Sequence, residues 1–162
     1  MRQRTNKPDT CWTLSATLIA ELSLMGKSNS EVSNLSTLLQ SYKGFVYLIT
    51  NTKTGHCYIG RKYITSKRRH KVKGKRRRKL VEKESDWLQY KSSSDELKSQ
   101  IQKYGEGSFT FSILHLCKTR GETNYLETKE MFLRDVLYAT LPSGDYQYLN
   151  HHILGRYYRR RK

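Results

Sequence analysis

Gly44-Phe45-Val46-Tyr47-Leu48-Ile49-Thr50-Asn51-Thr52-Lys53-Thr54-Gly55-His56-Cys57-Tyr58-Ile59-Gly60 is the stretch whose reading decides the fold. Aromatic and β-branched residues dominate 45–50 and 56–60, and such side chains suit a pleated, half-buried surface. The residues between them supply a turn, with Gly55 free to take positive φ. An antiparallel hairpin is therefore expected. In such a pair Tyr47 and Tyr58 can face the same side at neighbouring positions and share one site.

Working outward, the next feature is charge. Residues 61–79 contain 12 Lys or Arg and no acidic residue, with Gly74 interrupting any helix. This tract reads as a solvated loop, an irregular arm or a helix that orders only on an anion. The whole chain, 162 residues, sets 31 Lys plus Arg against 14 Asp plus Glu, a formal charge of +17. That excess points to a polyanionic partner, nucleic acid before an anionic membrane, because no segment approaches about 18 continuous apolar residues. The basic residues Arg2, Arg4 and Lys7 are not followed by a convincing cleavage signal. The three cysteines, Cys11, Cys57 and Cys117, have no framework spacing and fit a reducing compartment. A cytoplasmic or nucleoid-associated protein is expected, or one in the host cytoplasm if it is phage-encoded.

The length suits one compact domain with extensions. Residues 1–41 read as a helical N-terminal extension. Leu14, Leu18, Ile19, Leu22 and Met25 fall at helical spacing, and Ser28 with Glu31 offers a capping box for a second helix. These helices pack on the domain or form a partner surface. Ser93 and Glu96 suggest another capped helix, ending at Gly105. Residues 109–116 alternate as a strand, and 122–138 have the period and acidic first turn of a helix. Residues 42–152 form the central domain, with 61–79 its basic arm and 153–162 a basic tail.

At Tyr47 and at Tyr58-Ile59-Gly60 the chain resembles the GIY-YIG nuclease family. The second motif matches in full. The first appears as Phe45-Val46-Tyr47 after Gly44, with the glycine one place early. The resemblance covers about two-thirds of the chain, from Tyr42 to Asn150. It implies a small α/β (α+β) domain with a three-stranded antiparallel sheet flanked by helices, of the kind found in phage and mobile-element homing endonucleases. It also implies cleavage of DNA phosphodiesters with a divalent metal, Mg²⁺ or Mn²⁺. Residue by residue, Tyr47 would activate water and Tyr58 would assist it near the phosphate. Glu127 would hold the metal, and Asn150 would support the site by hydrogen bonding. Arg68, eight residues after Gly60, stands where the family often places a catalytic arginine.

The residues themselves leave alternatives open. A phenol of pKa about 10 is a poor base at neutral pH unless a cation or metal lowers it. Arg61, Lys62 and Arg69 compete with Arg68, since a guanidinium fork anywhere nearby can hold two phosphate oxygens. On a helical wheel Tyr125, Phe132, Leu133, Val136 and Leu137 form the apolar face, with Glu130 nearer its edge than Glu127, so Glu130 is the rival carboxylate. Zinc at His56-Cys57 and His115-x-Cys117 lacks a standard spacing and is set aside.

For DNA, expected as a duplex, the phosphate contacts fall to Arg61, Lys62, Lys67, Arg69, Lys71, Lys73, Lys75, Arg76, Arg77, Arg78, Lys79, Arg159, Arg160 and Arg161. Tyr63, Trp87, Tyr90, Tyr157 and Tyr158 could stack on bases. Low sequence specificity follows from the lack of a separate reading motif. Two cuts in a duplex would require a homodimer or sequential nicking. A non-enzymatic nucleic-acid-binding protein and a host-interaction protein on a nuclease-like fold are the competing classes.

Overall fold

The computed structural model describes residues 11–71, 73–74 and 76–160. The expectations for Arg2, Arg4, Lys7, Lys75 and Arg161 lie outside those residues, as does the side chain of Glu31 on which the Ser28 capping box depends.

The expected hairpin forms from β2 (Gly44–Asn51) and β3 (Cys57–Tyr63). Buried Asn51 shapes its turn, accepting hydrogen bonds at Oδ1 from the N–H groups of Lys53 and Thr54, while Gly55 takes φ 81°. β6 (Phe109–Cys117) pairs antiparallel on the other side of β2. Where the resemblance implied a three-stranded antiparallel sheet, the sheet has four strands. β1 (Trp12–Leu14) lies parallel to β6, giving the order β1-β6-β2-β3.

That fourth strand comes from the segment expected as a helical N-terminal extension, 1–41. Trp12 is buried against Phe45, Tyr47 and Phe111, with its indole N–H donating to the Trp87 carbonyl. The short helices α1 (Ala16–Leu24), α2 (Asn29–Ser33) and α3 (Leu35–Leu39) follow, and Leu18, Leu22, Leu38 and Leu39 enter the same core. A segment whose apolar stripe closes the central core belongs to the domain.

The sheet is covered on both faces. Phe45, Tyr47, Ile49, Phe109, Phe111 and Ile113 pack with the N-terminal helices, Trp87 and α4 (Asp95–Tyr104). Val46, Ile59 and Cys117 pack with Met131, Val136, Leu137 and Tyr148. Alternation along β6 breaks where Tyr47 pairs with Ile113 but Val46 with His115, a bulge that re-aims the strand beside Tyr47.

α5 (Arg120–Leu133) covers the second face. Thr119 and Glu122 form a reciprocal capping box at its start. The helix stops at Leu133, short of the expected Tyr138, because Asp135 takes the left-handed φ of 45°. Its buried residues are Thr123, Glu127 and Met131, whereas Tyr125, Phe132 and Leu133 are exposed. The part of the expected apolar face that is helical, Tyr125, Phe132 and Leu133, is thus turned outward, while Val136 and Leu137, beyond the end of the helix, are buried. Gly44 sets this rotation, since a Cβ there would stand 2.9 Å from Thr123 Oγ1, so only glycine lets α5 approach β2 on that stripe.

The basic tract, expected as a solvated loop, an irregular arm or a helix, contributes strand among its described residues. β3 runs past Gly60 to Tyr63, and then β4 (Thr65–His70) and β5 (Lys79–Glu84) form a two-stranded ribbon apart from the main sheet. Ladder hydrogen bonds need no apolar side chain, so cations can line a strand provided that they stay in solvent. The ribbon is rooted by buried Ile64, whose N–H donates to Lys43 O, and by Ser85, whose hydroxyl donates to Tyr63 O.

The described part of the expected tail takes part in a small hairpin of β7 (His152–Ile153) and β8 (Tyr157–Tyr158). Among the described residues no helix is long and apolar enough to cross a membrane.

Candidate active site

Tyr47 is fully enclosed by the rings of Trp12, Phe45, Tyr58 and Tyr90. It sits opposite Gly60 in the hairpin register, and Tyr58 opposite Ile49, so the two tyrosines are diagonal neighbours on one face with ring centroids 6.3 Å apart. Their hydroxyls meet a polar group in the segment before α4. Tyr47 interacts with the hydroxyls of Tyr90 and Ser92, and Tyr58 with those of Ser92 and Ser93. Burial raises both phenols above the ordinary tyrosine value, Tyr47 well above it, and the neighbouring Tyr90 adds to the effect. Both are neutral phenols at physiological pH.

The serine run was read only as a helix start. Ser94, not Ser93, caps α4, accepting from Leu97 N–H. Ser93 is thereby left facing the cleft, and Ser92 is buried beneath it. No spacing rule marks a serine as a partner for a phenol thirty or more residues away.

Glu127 reaches the tyrosines from the opposite face of the sheet. It is 7% exposed and ion-paired with Arg61, which points to the α5 side of β3. Burial raises the Glu127 pKa, and Arg61 and His152 offset part of that rise. β3 is the sheet edge, so Tyr58 from one face and Arg61 with Glu127 from the other converge around it. They line a cleft of about 800 Å³ together with Tyr47, Gly60 and the ribbon. A second hollow of about 550 Å³ shares Tyr58, Arg61, Ser93 and Glu127 and is closed by Asn150, His151 and His152.

Asn150 touches the main chain rather than the cleft's reactive groups. Its Oδ1 accepts from Ile59 N–H at 3.0 Å, and its Nδ2 donates to Ile59 C=O at 2.8 Å. The preceding residues flank the same edge, with Cys57 N–H donating to Gln147 O and Leu149 N–H to Cys57 O. Asn150 thus extends the sheet with a side chain and fixes the backbone between Tyr58 and Gly60.

Residues 28–153 match the family model described as "Putative endonuclease segE, GIY-YIG domain". The chain belongs to the GIY-YIG endonuclease family. The match takes in α2 and α3, which the sequence had placed in the extension. Searches of curated proteins and of solved structures returned no match.

The GIY-YIG assignment makes sense of the displaced glycine. Gly44 is required where Thr123 approaches, and Phe45, wholly buried between Trp12 and Trp87, fills the core.

Other expected residues fall elsewhere in the domain. Glu130 bonds His115 Nε2 and Arg134 Nε, each at 2.8 Å, and lines neither hollow. Arg68 lies exposed on β4 and faces the cleft from the ribbon, whereas Arg61 is the cation in contact with Glu127. Lys62 is held by Asp86 at 2.6 Å and lies over the Tyr90 ring. Lys67, Arg69, Lys71, Lys73, Arg76, Arg77, Arg78 and Lys79 are exposed on the ribbon and its connecting loop, as is Arg160 near the C-terminus.

Arg159 was expected in a free tail. Its guanidinium instead donates to the carbonyls of Val136, Leu137, Tyr148 and Asn150 and stacks on Tyr146. Trp87, too, is a core residue rather than a base-stacking one.

Proposed function

We propose that this GIY-YIG domain is a metal-dependent DNA endonuclease of low sequence specificity. The observation that carries the reading is the meeting of Tyr58, Arg61 and Glu127 around the β3 edge, with Tyr47 behind them. A half-enclosed cleft that holds a carboxylate whose ionisation burial opposes, beside a guanidinium and two phenols, is an arrangement suited to catalysis.

Phosphodiester hydrolysis needs an activated water, charge neutralisation on the phosphate and protonation of the leaving oxygen. Tyr47 is the group we assign to the water's proton, accepted by its phenolate after its own proton has left to solvent, with Tyr58 beside the phosphate. Ser92, Ser93 and Tyr90 orient these hydroxyls. Arg61 is free to exchange Glu127 for two phosphate oxygens once substrate arrives, and Arg68 offers a second guanidinium from the ribbon. Asn150 is a positioning residue.

Among the described residues no three His, Cys, Asp or Glu side chains form a metal cluster. Glu127 is a single carboxylate, and Mg²⁺ or Mn²⁺ can be held by one carboxylate with water and phosphate oxygens. Glu127 would hold it. A divalent cation there supplies Lewis-acid charge at the phosphate and favours ionisation of neighbouring hydroxyls.

The loop cations Lys71, Lys73, Arg76, Arg77 and Arg78 would neutralise duplex phosphates without reading bases. The test is incubation of supercoiled and linear DNA, and of RNA, with Mg²⁺, Mn²⁺ or EDTA. Metal-dependent nicking of DNA by the protein but not by Glu127→Gln is the expected result. Absence of cleavage of any substrate would favour a binding protein.

A further inference from the structure

The ribbon has two electrostatically different faces, a property concealed by the tract's high charge. Directly opposed residues of an antiparallel pair share a face, and successive residues alternate. Ser66 opposes Lys83, Arg68 opposes Val81 and His70 opposes Lys79, so one face carries Arg68, His70, Lys79 and Lys83 without a carboxylate. Thr65 opposes Glu84, Lys67 opposes Glu82 and Arg69 opposes Leu80, so both acids lie on the other face.

Those acids are engaged. Glu82 accepts from Thr65 Oγ1 at 2.5 Å and pairs with Lys43 at 3.5 Å; the Thr65 hydrogen bond, then Lys43 and Lys67, lower its pKa. Glu84 accepts the Trp87 indole N–H. At the ribbon's root both faces meet the cleft, Thr65 and Glu84 from one and Ser66 and Lys83 from the other, but toward the tip Arg68 and His70 of the acid-free face line it while Arg69 and Glu82 do not. Lys67 also reaches the cleft wall, but stands across from Glu82. Arg68, Lys79 and Lys83 make no ion pair among the described residues.

The root is rigid. Arg120 of α5 donates to Thr65 O at 2.9 Å and stacks on Tyr63, tying the ribbon to the helix that carries Glu127. Six residues per strand extend about 20 Å from that root.

We propose that β4–β5 is a one-sided DNA clamp. Its acid-free face grips the sugar-phosphate backbone of a duplex whose scissile phosphate lies in the cleft, and its other face stays off the DNA. The proposal rests on the DNA endonuclease reading above. Backbone neutralisation gives the salt dependence of binding a slope of about 0.9 per cation engaged.

The experiment compares two variants that remove the same charge, Arg68→Gln/Lys83→Gln on one face and Lys67→Gln/Arg69→Gln on the other. Binding to a short duplex of arbitrary sequence is measured across salt concentrations in EDTA, where no cleavage occurs. The first variant is expected to flatten the salt slope by about 1.8 and to weaken binding on the order of tenfold. The second should keep a slope near wild type, and Arg68→Lys/Lys83→Arg should restore it. Equal loss from both faces, loss from neither, or loss confined to single-stranded DNA or RNA overturns the clamp. Because cleavage is not read, a wild-type protein that fails to nick plasmid but shows the one-sided loss refutes the endonuclease reading alone.

Discussion

The Tyr47 phenol lies across Gly60, so that a Cβ at that glycine would stand 2.5 Å from the Tyr47 hydroxyl oxygen and 2.6 Å from its ring carbon Cζ. Tyr47 cannot retreat, because Trp12, Phe45 and Tyr90 enclose the ring. The glycine of the second motif therefore makes room for the tyrosine of the first. Gly60→Ala is expected to cost about 1–3 kcal/mol through overpacking. It should also reduce cleavage at temperatures where the variant remains folded. Denaturant unfolding alongside plasmid nicking checks both.

Asn150→Ala leaves the Ile59 N–H and C=O without their side-chain partner at a buried edge, at a cost of about 1–3 kcal/mol for each unsatisfied group, less whatever water recovers. Asn150→Asp is the sharper probe. Its carboxylate can accept from Ile59 N–H but repels Ile59 C=O, so the folded state prefers the protonated acid. A raised folded pKa gives stability that is present below the ordinary carboxylate value and lost as pH rises through the folded one. The Asp variant should approach wild type in acid and fall behind it near neutrality, read as the difference in unfolding midpoint at each pH.

The hairpin was legible because its signals are local: β-formers, a glycine turn and two tyrosines at neighbouring cross-strand positions. The choice between Glu127 and Glu130 was not legible from periodicity. A hydrophobic wheel ranks faces by apolarity, but α5 buries Thr123, Glu127 and Met131 and exposes Tyr125, Phe132 and Leu133. Only the family resemblance pointed to Glu127. The ribbon left no hydrophobic period to detect, since backbone pairing and a root at Ile64 hold it. The partners of Arg159 are carbonyls, which sequence does not display.

Glu127→Gln should separate stability from activity. Burial raises the Glu127 pKa despite Arg61, so the folded chain holds its proton more tightly than the unfolded chain. Such a group contributes stability below the ordinary carboxylate value, and that contribution is lost as pH rises through the folded value. Once ionised, the carboxylate is therefore a burden that glutamine removes while still accepting from Arg61. The expected outcome is a melting temperature equal to or above wild type with metal-dependent nicking abolished. A marked fall in melting temperature would show that the ion pair outweighs burial.

Arg159 should behave as a structural residue despite the chain's charge. Removing its guanidinium in Arg159→Ala leaves four carbonyls to find other partners, and a loss of about 2–3 kcal/mol is expected. Lysine should rescue little, because one ammonium cannot reproduce the planar fork. The salt slope of DNA binding should stay near wild type in both variants, whereas a slope reduced by about 0.9 would place Arg159 on a phosphate.

The last prediction concerns the two phenols. Because burial holds both above the ordinary tyrosine value, neither is ionised to any useful extent in the free protein at neutral pH. If Tyr47 takes the water's proton, cleavage should rise with pH throughout the range in which the protein is stable, as the phenolate fraction grows. Tyr47→Phe keeps the enclosed ring and should lower the rate by about 10²–10⁴-fold, the usual worth of a positioned acid or base, and flatten that rise. Tyr58→Phe, which removes only the companion hydroxyl, should lower the rate while leaving the pH dependence in place. Single-turnover nicking from pH 6 to pH 9 at saturating Mg²⁺ distinguishes the two, and an unchanged profile in Tyr47→Phe would make Tyr47 a packing residue and move the proton to another acceptor.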